Sequence, residues 1–504
     1  MIEEMLRSTV GWPAGTRMLS GETESGTKNW RTEHDSIGDR KVPADAYYGV
    51  QTLRAVENFR ITGLSLHPEI INSLVHIKKA AALTNCEIGL LDKRTADAIV
   101  AACDEILAGK FRTQFVVDPI QGGAGTSLNM NANEVIANRA IELLGGQKGE
   151  YSLVHPNDHV NLSQSTNDVI PTAGKMAVIR LLMKLRLQLH CLQLALSKKA
   201  DEFDHVIKMG RTQMQDAVPI RLGQEFRAYA DAVTRNIERI EKAADEMCVL
   251  NMGGTAIGTG VNADKAYLQR IVPVLNEVSG MKFVQAADLI DATQNLDPFV
   301  AVSGAVKTCA VSLSKIANDL RLMSSGPKAG FGEINLPAMQ NGSSIMPGKV
   351  NPVIPEVVNQ VSFNVIGNDM TITLAAEAGQ LELNAFEPII FYNLFQSIDT
   401  LGFATETFTD NCITGITANE ERCRELVENS VGIVTTLAPV IGYQRAADIA
   451  KKALKQGRPV REIILEEKIL TPEEVSCILD PVSMTEPGIH GMEEIRERKD
   501  GKST

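Results

Sequence analysis

Residues 342–352 read Gly-Ser-Ser-Ile-Met-Pro-Gly-Lys-Val-Asn-Pro. No helical or strand period runs through Gly342, Ser343, Ser344, Ile345, Met346, Pro347, Gly348, Lys349 and Asn351. A loop of this kind can turn backbone N–H groups towards an anion, and glycines let the chain approach a ligand closely. Lys349 adds a point charge suited to a carboxylate or a phosphate. The chemistry indicated is anion binding. An ordinary turn between two helices is the plainer alternative, but such turns rarely need this mixture. The order G-x-x-x-x-G-K-[ST] is absent, so this is not a Walker loop. On residue chemistry alone Lys349 is also the nominee for a general base, because a desolvated lysine can serve as one.

Three further polar segments stand apart from their apolar surroundings. They are Gly123-Ala-Gly-Thr-Ser-Leu-Asn-Met-Asn131 with Asn133-Glu134, Pro156-Asn-Asp-His-Val-Asn-Leu-Ser-Gln-Ser-Thr-Asn-Asp168, and Gly210-Arg-Thr-Gln-Met-Gln-Asp-Ala-Val-Pro219. The stretches 121–133 and 151–168 are rich in Gly, Asn, Ser, Thr and Pro and are expected to be loops, where functional side chains usually sit. With 342–352, these segments resemble the motifs of the fumarase/aspartase superfamily in order and separation. The similarity runs from about Val42 to about Pro481. Ser165-Thr166-Asn167 is similar to the aspartase branch, since fumarases typically carry Ser-Ser-Asn there. Val353–Val361, Ile366–Asp369, Ala378–Asn384 and Glu387-Pro388 resemble the same branch, whereas Val42–Val50 is shared more widely.

The resemblance implies reversible deamination of L-aspartate to fumarate and ammonia. A proton leaves the carbon beside the β-carboxylate, and the charge spreads into an aci-carboxylate that preorganised donors must hold. Thr126, Ser165, Thr166 and Asn167 match the family positions that bind this carboxylate. Lys349 and Asn351 match those that hold the other one, and Thr212 and Gln213 line the same site. The resemblance makes Ser343, not Lys349, the base. A serine can act so only if a closing lid stabilises its alkoxide through N–H groups and a nearby positive charge. Gln213 stands where many members carry a titrating His paired with a Glu, here Glu356. Glutamine cannot relay protons, which costs a lyase less than a hydratase that must protonate hydroxide. The alternatives are a fumarate hydratase or another fumarate-releasing lyase, and a non-catalytic crystallin-like relative.

Other polar residues receive structural readings. His155 and His159 bracket Asp158, but Pro156 and Asn157 oppose a helical metal site, so no metal ligands are assigned. Some aspartases are activated by a divalent cation, and no ligand cluster here shows such a site. Asp168 and Asp216 are expected to brace their loops through side-chain-to-backbone bonds. Glu333, Asn335 and Glu356 flank the 342–352 loop, where helix capping or loop anchoring stands beside catalysis as their role. Met and Leu stripes are core, and no cofactor is invoked.

The elements that must position these segments are helical. Apolar runs at 175–200, 222–250, 298–323, 355–377 and 391–414 predict five helices of about 25 residues, each about 37 Å long. Such helices cannot bury their faces alone, and some are apolar almost all round. Shorter helices are expected at 76–88, 95–107, 459–468 and 471–479, the last opened by the capping box Thr471-Pro-Glu-Glu474. The reading is an all-α, three-domain lyase fold whose central five-helix bundle assembles into a tetrameric helical core. Its regions are a loose arm over 1–36, helical 37–167, the long-helix bundle 168–421 and a small helical 422–504. Met18 is an alternative start. The resemblance adds a homotetramer with each site shared among three subunits. A formal charge of −12 argues against nucleic-acid binding and a polybasic membrane contact. The eight cysteines lack a disulfide or C-x-x-C pattern and are read as reduced thiols. With no signal-length apolar segment at the start and no apolar run of membrane-span length, a soluble, cytoplasmic protein is expected.

Overall fold

The computed structural model describes residues 29–489. Its fold is all-α in class, and strands occur among the described residues only as two-stranded pairings. The long helices are α1 (Thr166–Glu202), α2 (Leu222–Glu246), α3 (Asp297–Met323), α4 (Val353–Glu377) and α5 (Glu387–Asn411). All five expected helices are present. α1 differs most, beginning at Thr166 rather than 175 and passing through Pro171. Proline has no N–H to give the carbonyl four residues back, which is that of Asn167. The Asn251 side-chain amide supplies the missing donor to Asn167 O at 2.9 Å. The helix therefore tolerates the proline that hid its first turns.

The chain divides into two compact units, and each long helix contributes a part to each of them. The first unit comprises 1–185, 239–307 and 364–399. Here helices Pro68–Glu87, Lys93–Leu107, Thr126–Leu143 and Lys265–Ser279 pack on one another. Phe391 lies between Phe299 and Phe395 in its core, with ring centroids 5.4 and 5.6 Å away. Residues 1–28 of the expected loose arm lie outside the described residues. Residues 30–35 correct that boundary, because Trp30–Asp35 pairs antiparallel with Gly38–Pro43. Glu33 on this hairpin and Glu134 cap the helix Val50–Asn58 by accepting from Val50 N and Gly49 N at 2.8 Å each.

The second unit comprises 186–238, 308–363 and 400–504. Its small C-terminal core gathers Val427, Leu437, Ile449, Ile463 and Ile478, together with Met209. Met209 belongs to the hairpin Ile207–Thr212/Gln215–Arg221, which carries Gly210–Pro219 and has no apolar run to advertise it. The short helices are Val460–Glu466 and Pro472–Ile478, and the Thr471/Glu474 capping box is formed. α3, whose apolar run is interrupted by Lys307 and Lys315, is the helix among the described residues that comes nearest to a membrane span. By length and composition it qualifies, although half of its most apolar stretch is buried within the chain.

Candidate active site

In the first unit, Thr126 and Thr166 each open a helix. The expected loop 121–133 thus contains a helix start, a correction with a clear origin. Asn129, Asn131, Asn133 and Asn138 are buried on that helix, and the Nδ2 group of each donates to backbone or side-chain oxygen, as when Asn131 donates to Gln114 O at 2.9 Å. Polar composition therefore masked the helix. Gly125 precedes it with φ +84°, and a Cβ there would lie 2.9 Å from Ile170 of α1, so the two helix starts approach closely. N-terminal N–H groups and dipoles of two helices favour an anion nearby.

The hydroxyls are specifically arranged. Ser165 Oγ accepts from Asn167 N at 3.2 Å and Thr166 Oγ1 from Asn129 Nδ2 at 3.3 Å, so each keeps its own proton to give away. Thr126 Oγ1 donates to Gly123 O at 2.7 Å and must turn before it can donate to a ligand. Asn167 Nδ2 is engaged with Ala256 O at 2.6 Å. Asp168 braces this start as expected, accepting from Ser165 N at 3.0 Å and from Gly253 N and Thr255 N at 3.1 Å each. Burial nevertheless pushes its carboxyl up to about 6.

Two contributors escaped the sequence reading. One is the loop 251–260, which holds Asn167 and Asp168; its Gly253, Gly254, Gly258 and Gly260 without helical period were the available signal. The other is Lys78, fully buried beneath Asn161 and Gln164 and 2.8 and 2.9 Å from their side-chain oxygens. Burial pulls its amine down to about 7, which Asp168 opposes. On an apolar helix Lys78 carried no sequence signal. His155 has the structural role expected of it, as its ring Nδ1 accepts from Asn157 N and Asp158 N at the head of a π-helical turn, Pro156–Val160.

In the second unit, Thr212 and Gln213 sit at the tip of the Ile207–Arg221 hairpin. The connecting Gln213 and Met214 have φ of 54° and 64°, the left-handed pair that matches the twist of a two-residue hairpin and usually calls for Asn-Gly. Buried Glu333 pins the hairpin by accepting from Arg211 Nη1 at 2.8 Å, with Lys208 Nζ 3.5 Å away. Glu333 thus anchors this hairpin rather than the 342–352 loop. Asp216 differs from expectation: it accepts from the Ser430 hydroxyl at 2.8 Å rather than from its own backbone.

The 342–351 loop is tied at its neck. Gly342 N donates to Lys349 O at 2.8 Å, and Asn351 Nδ2 donates to Gly342 O at 2.7 Å. A Cβ on Gly342 would lie 2.5 Å from Lys349 O, so glycine is required. Inside the loop Ser343 Oγ accepts from Ile345 N at 3.2 Å and Met346 N at 3.0 Å. Two N–H groups aimed at one serine oxygen favour its deprotonated form. Lys349 and Asn351, with Arg321, Asn335, Glu356 and Asn419, line a cleft of about 930 Å³. Among the described residues no group of three or more His, Cys, Asp or Glu is placed to hold a metal ion.

The chain is similar to known proteins over most of its length. A family model described as lyase matches residues 38–367, and one described as fumarase C C-terminus matches residues 433–486. An aspartate ammonia-lyase from a Bacillus species is 57% identical over 461 residues, 92% of this chain and 98% of that relative. One from Helicobacter pylori is 57% identical over 459 residues, 91% of this chain and 98% of that relative. Among solved structures, the fumarate lyase:delta crystallin of Brucella melitensis bound to cobalt has a TM-score of 0.89 at 52% identity, covering 91% of this chain and 100% of that one. A class II fumarase from Schistosoma mansoni has a TM-score of 0.88 at 37% identity, covering 91% and 99%.

Proposed function

The chain belongs to the lyase family, and we propose that it catalyses the reversible elimination of ammonia from L-aspartate to give fumarate. It is a carbon–nitrogen lyase. The observation that carries this reading is the 57% identity to aspartate ammonia-lyases over more than nine-tenths of the chain. The fumarase is related at 37%, which places hydration second.

In this reading the Ser343 alkoxide takes the C3 proton. The electron pair left behind enters the adjacent carboxylate, and Thr126, Ser165, Thr166 and Asn167 stabilise the resulting aci-carboxylate. The pair then returns to form the C2–C3 double bond while the ammonium group departs as ammonia. Lys349 and Asn351 hold the second carboxylate, and Thr212 and Gln213 line the site. The N–H groups of Ile345 and Met346 at Ser343 Oγ support its assignment as base. Ser344 to Gly348 form the lid around it. No cofactor takes part in these steps.

We assign a homotetramer whose active sites are each assembled from three subunits, with functional regions 37–167, 168–421 and 422–504. Exposed apolar stripes on the long helices support a shared core. Met183, Leu187 and Leu194 on α1 and Phe363, Met370 and Leu374 on α4 fall at helical spacing, all more than half exposed. Cys86, Cys103, Cys191, Cys248, Cys412 and Cys423 stand as thiols rather than disulfides, which supports a reducing cytoplasm. The test is the ultraviolet absorbance of fumarate after adding purified protein to L-aspartate and, separately, to L-malate. A rise with L-aspartate alone is expected; a rise with L-malate alone replaces this reading with a hydratase.

A further inference from the structure

We propose that Lys78 is a positioning residue that fixes the direction of the Thr166 hydroxyl proton, through Asn161 and Asn129. The proposal rests on the assignment of Thr166 to the substrate carboxylate.

A lysine ammonium only donates hydrogen bonds. Lys78 is completely buried, and its Nζ lies 2.8 Å from Asn161 Oδ1 and 2.9 Å from Gln164 Oε1. Each of these amides must therefore turn its oxygen, not its NH2, towards the lysine. Asn161 Oδ1 then gathers the NH2 groups of Asn129 at 3.1 Å and Asn133 at 3.2 Å. With its nitrogen on that side, Asn129 presents the same NH2 to Thr166 Oγ1 at 3.3 Å. A hydroxyl has one hydrogen. Since Thr166 accepts from Asn129, its own hydrogen points away, free for a ligand carboxylate.

The orientation is imposed rather than freely chosen. Asn129 Oδ1 and Asn133 Oδ1 are buried and accept no hydrogen bond from any described group. Buried amide oxygens normally find a donor, so an unconstrained pair would turn to pair them. An amide turned by half a revolution keeps its shape but exchanges donor and acceptor. Asn161 has a second anchor, its Nδ2 donating to Gln164 O at 3.1 Å; losing the lysine removes the charged anchor, and Asn161 and Asn129 then turn together in a fraction of the molecules. Asn129 Oδ1 would then capture the Thr166 proton, and the developing aci-carboxylate would lose one donor.

The test compares fumarate release from L-aspartate by the full-length wild type, Asn129→Asp, Asn129→Leu, Lys78→Met and Lys78→Arg, with thermal melts as a check on folding. Asn129→Asp places an acceptor against Thr166 and should lower kcat about 100-fold with KM within about threefold. Asn129→Leu removes every hydrogen bond of that side chain yet leaves the Thr166 proton free, so it should lose less than Asn129→Asp. Aspartate also buries a charge, so the two are compared against their melting temperatures: a merely structural role predicts losses of kcat that follow the loss of stability. Lys78→Arg keeps a donor-only side chain and should retain about tenfold more kcat than Lys78→Met. The inference is overturned if leucine at 129 is as harmful as aspartate, or if the losses fall on KM alone. If one variant pair fails to fold, the other decides by the same comparison. A wild type that releases no fumarate refutes the proposed function itself, a result distinct from equal losses in an active background.

Discussion

Replacing Ser343 by alanine isolates the contribution of one oxygen. Ser343 Oγ accepts from two backbone N–H groups, at 3.0 and 3.2 Å. A hydrogen bond to a charged acceptor contributes about 1.5–3 kcal/mol, so the pair stabilises an alkoxide by about 3–6 kcal/mol. The same N–H groups bond the neutral hydroxyl more weakly, and that difference lowers the serine pKa. Ser343→Ala removes the base and leaves the loop neck untouched, because that neck is made by Gly342, Lys349 and Asn351. The expected outcome is a fall in kcat of about 10³-fold or more, within the range of a lost general base. KM should stay within about threefold, and the midpoint of thermal unfolding should barely move, since a part-exposed loop serine contributes less than about 0.5 kcal/mol to stability. The assay is initial-rate absorbance of fumarate over a range of L-aspartate concentrations. A Ser343→Ala enzyme within about tenfold of wild-type kcat would refute the assignment and return Lys349 to consideration.

Burial pushes the Glu134 carboxyl from 4.5 up to about 7. The folded state therefore holds this proton more tightly than the unfolded chain, a stabilisation complete below about 4.5 and lost as pH rises through about 7. Wild type should lose melting temperature relative to Glu134→Gln between about pH 5 and about pH 8, and a difference independent of pH would contradict the cause given. Met214→Gly relieves a left-handed residue at the hairpin tip and should stabilise the fold by about 0.5–1 kcal/mol in denaturant titrations; destabilisation would show that the turn does not strain Met214. Asn251→Ala removes the donor that replaces the absent N–H of Pro171, together with a bond to Thr293 Oγ1 at 3.0 Å. It should cost about 1–3 kcal/mol of stability, and a neutral result would mean that water restores the lost bonds.

The long helices were legible because long runs with apolar spacing and few breakers admit little else, as 222–246 and 297–323 show, where the only Gly and Pro are Gly223, Pro298 and Gly304. The site loop was legible for the opposite reason: Ser343 to Asn351 has no period and no structural need for its composition. Elements whose stability comes from distant partners were hidden. The helix Thr126–Leu143 buries asparagines because Tyr47 O, Gln114 O and Asn161 Oδ1 receive their amides, and no local pattern reports those partners. The start of α1 was concealed by Pro171, whose missing bond is replaced from residue 251. The hairpin 207–221 carries turn residues that are neither Gly nor Asn, so it lacked the usual turn signal. Lys78 stands beside Lys79 on a largely apolar helix, and only its depth sets it apart.

The tied neck of the 342–351 loop changes the thermodynamics of closing it. Ordering a free strand of chain costs about 1–2 kcal/mol per residue in lost backbone freedom, so recruiting such a segment would consume much of the affinity of a ligand as small as a four-carbon dicarboxylate. Here the ends are already joined by Gly342 N to Lys349 O and by the Asn351 amide, and Ser343 is already folded onto Ile345 and Met346. As the lid proposed above, the segment would swing as a preassembled flap, with most of its internal entropy surrendered during folding. Substrate then has only that swing to oppose, and its binding energy remains for the proton transfer.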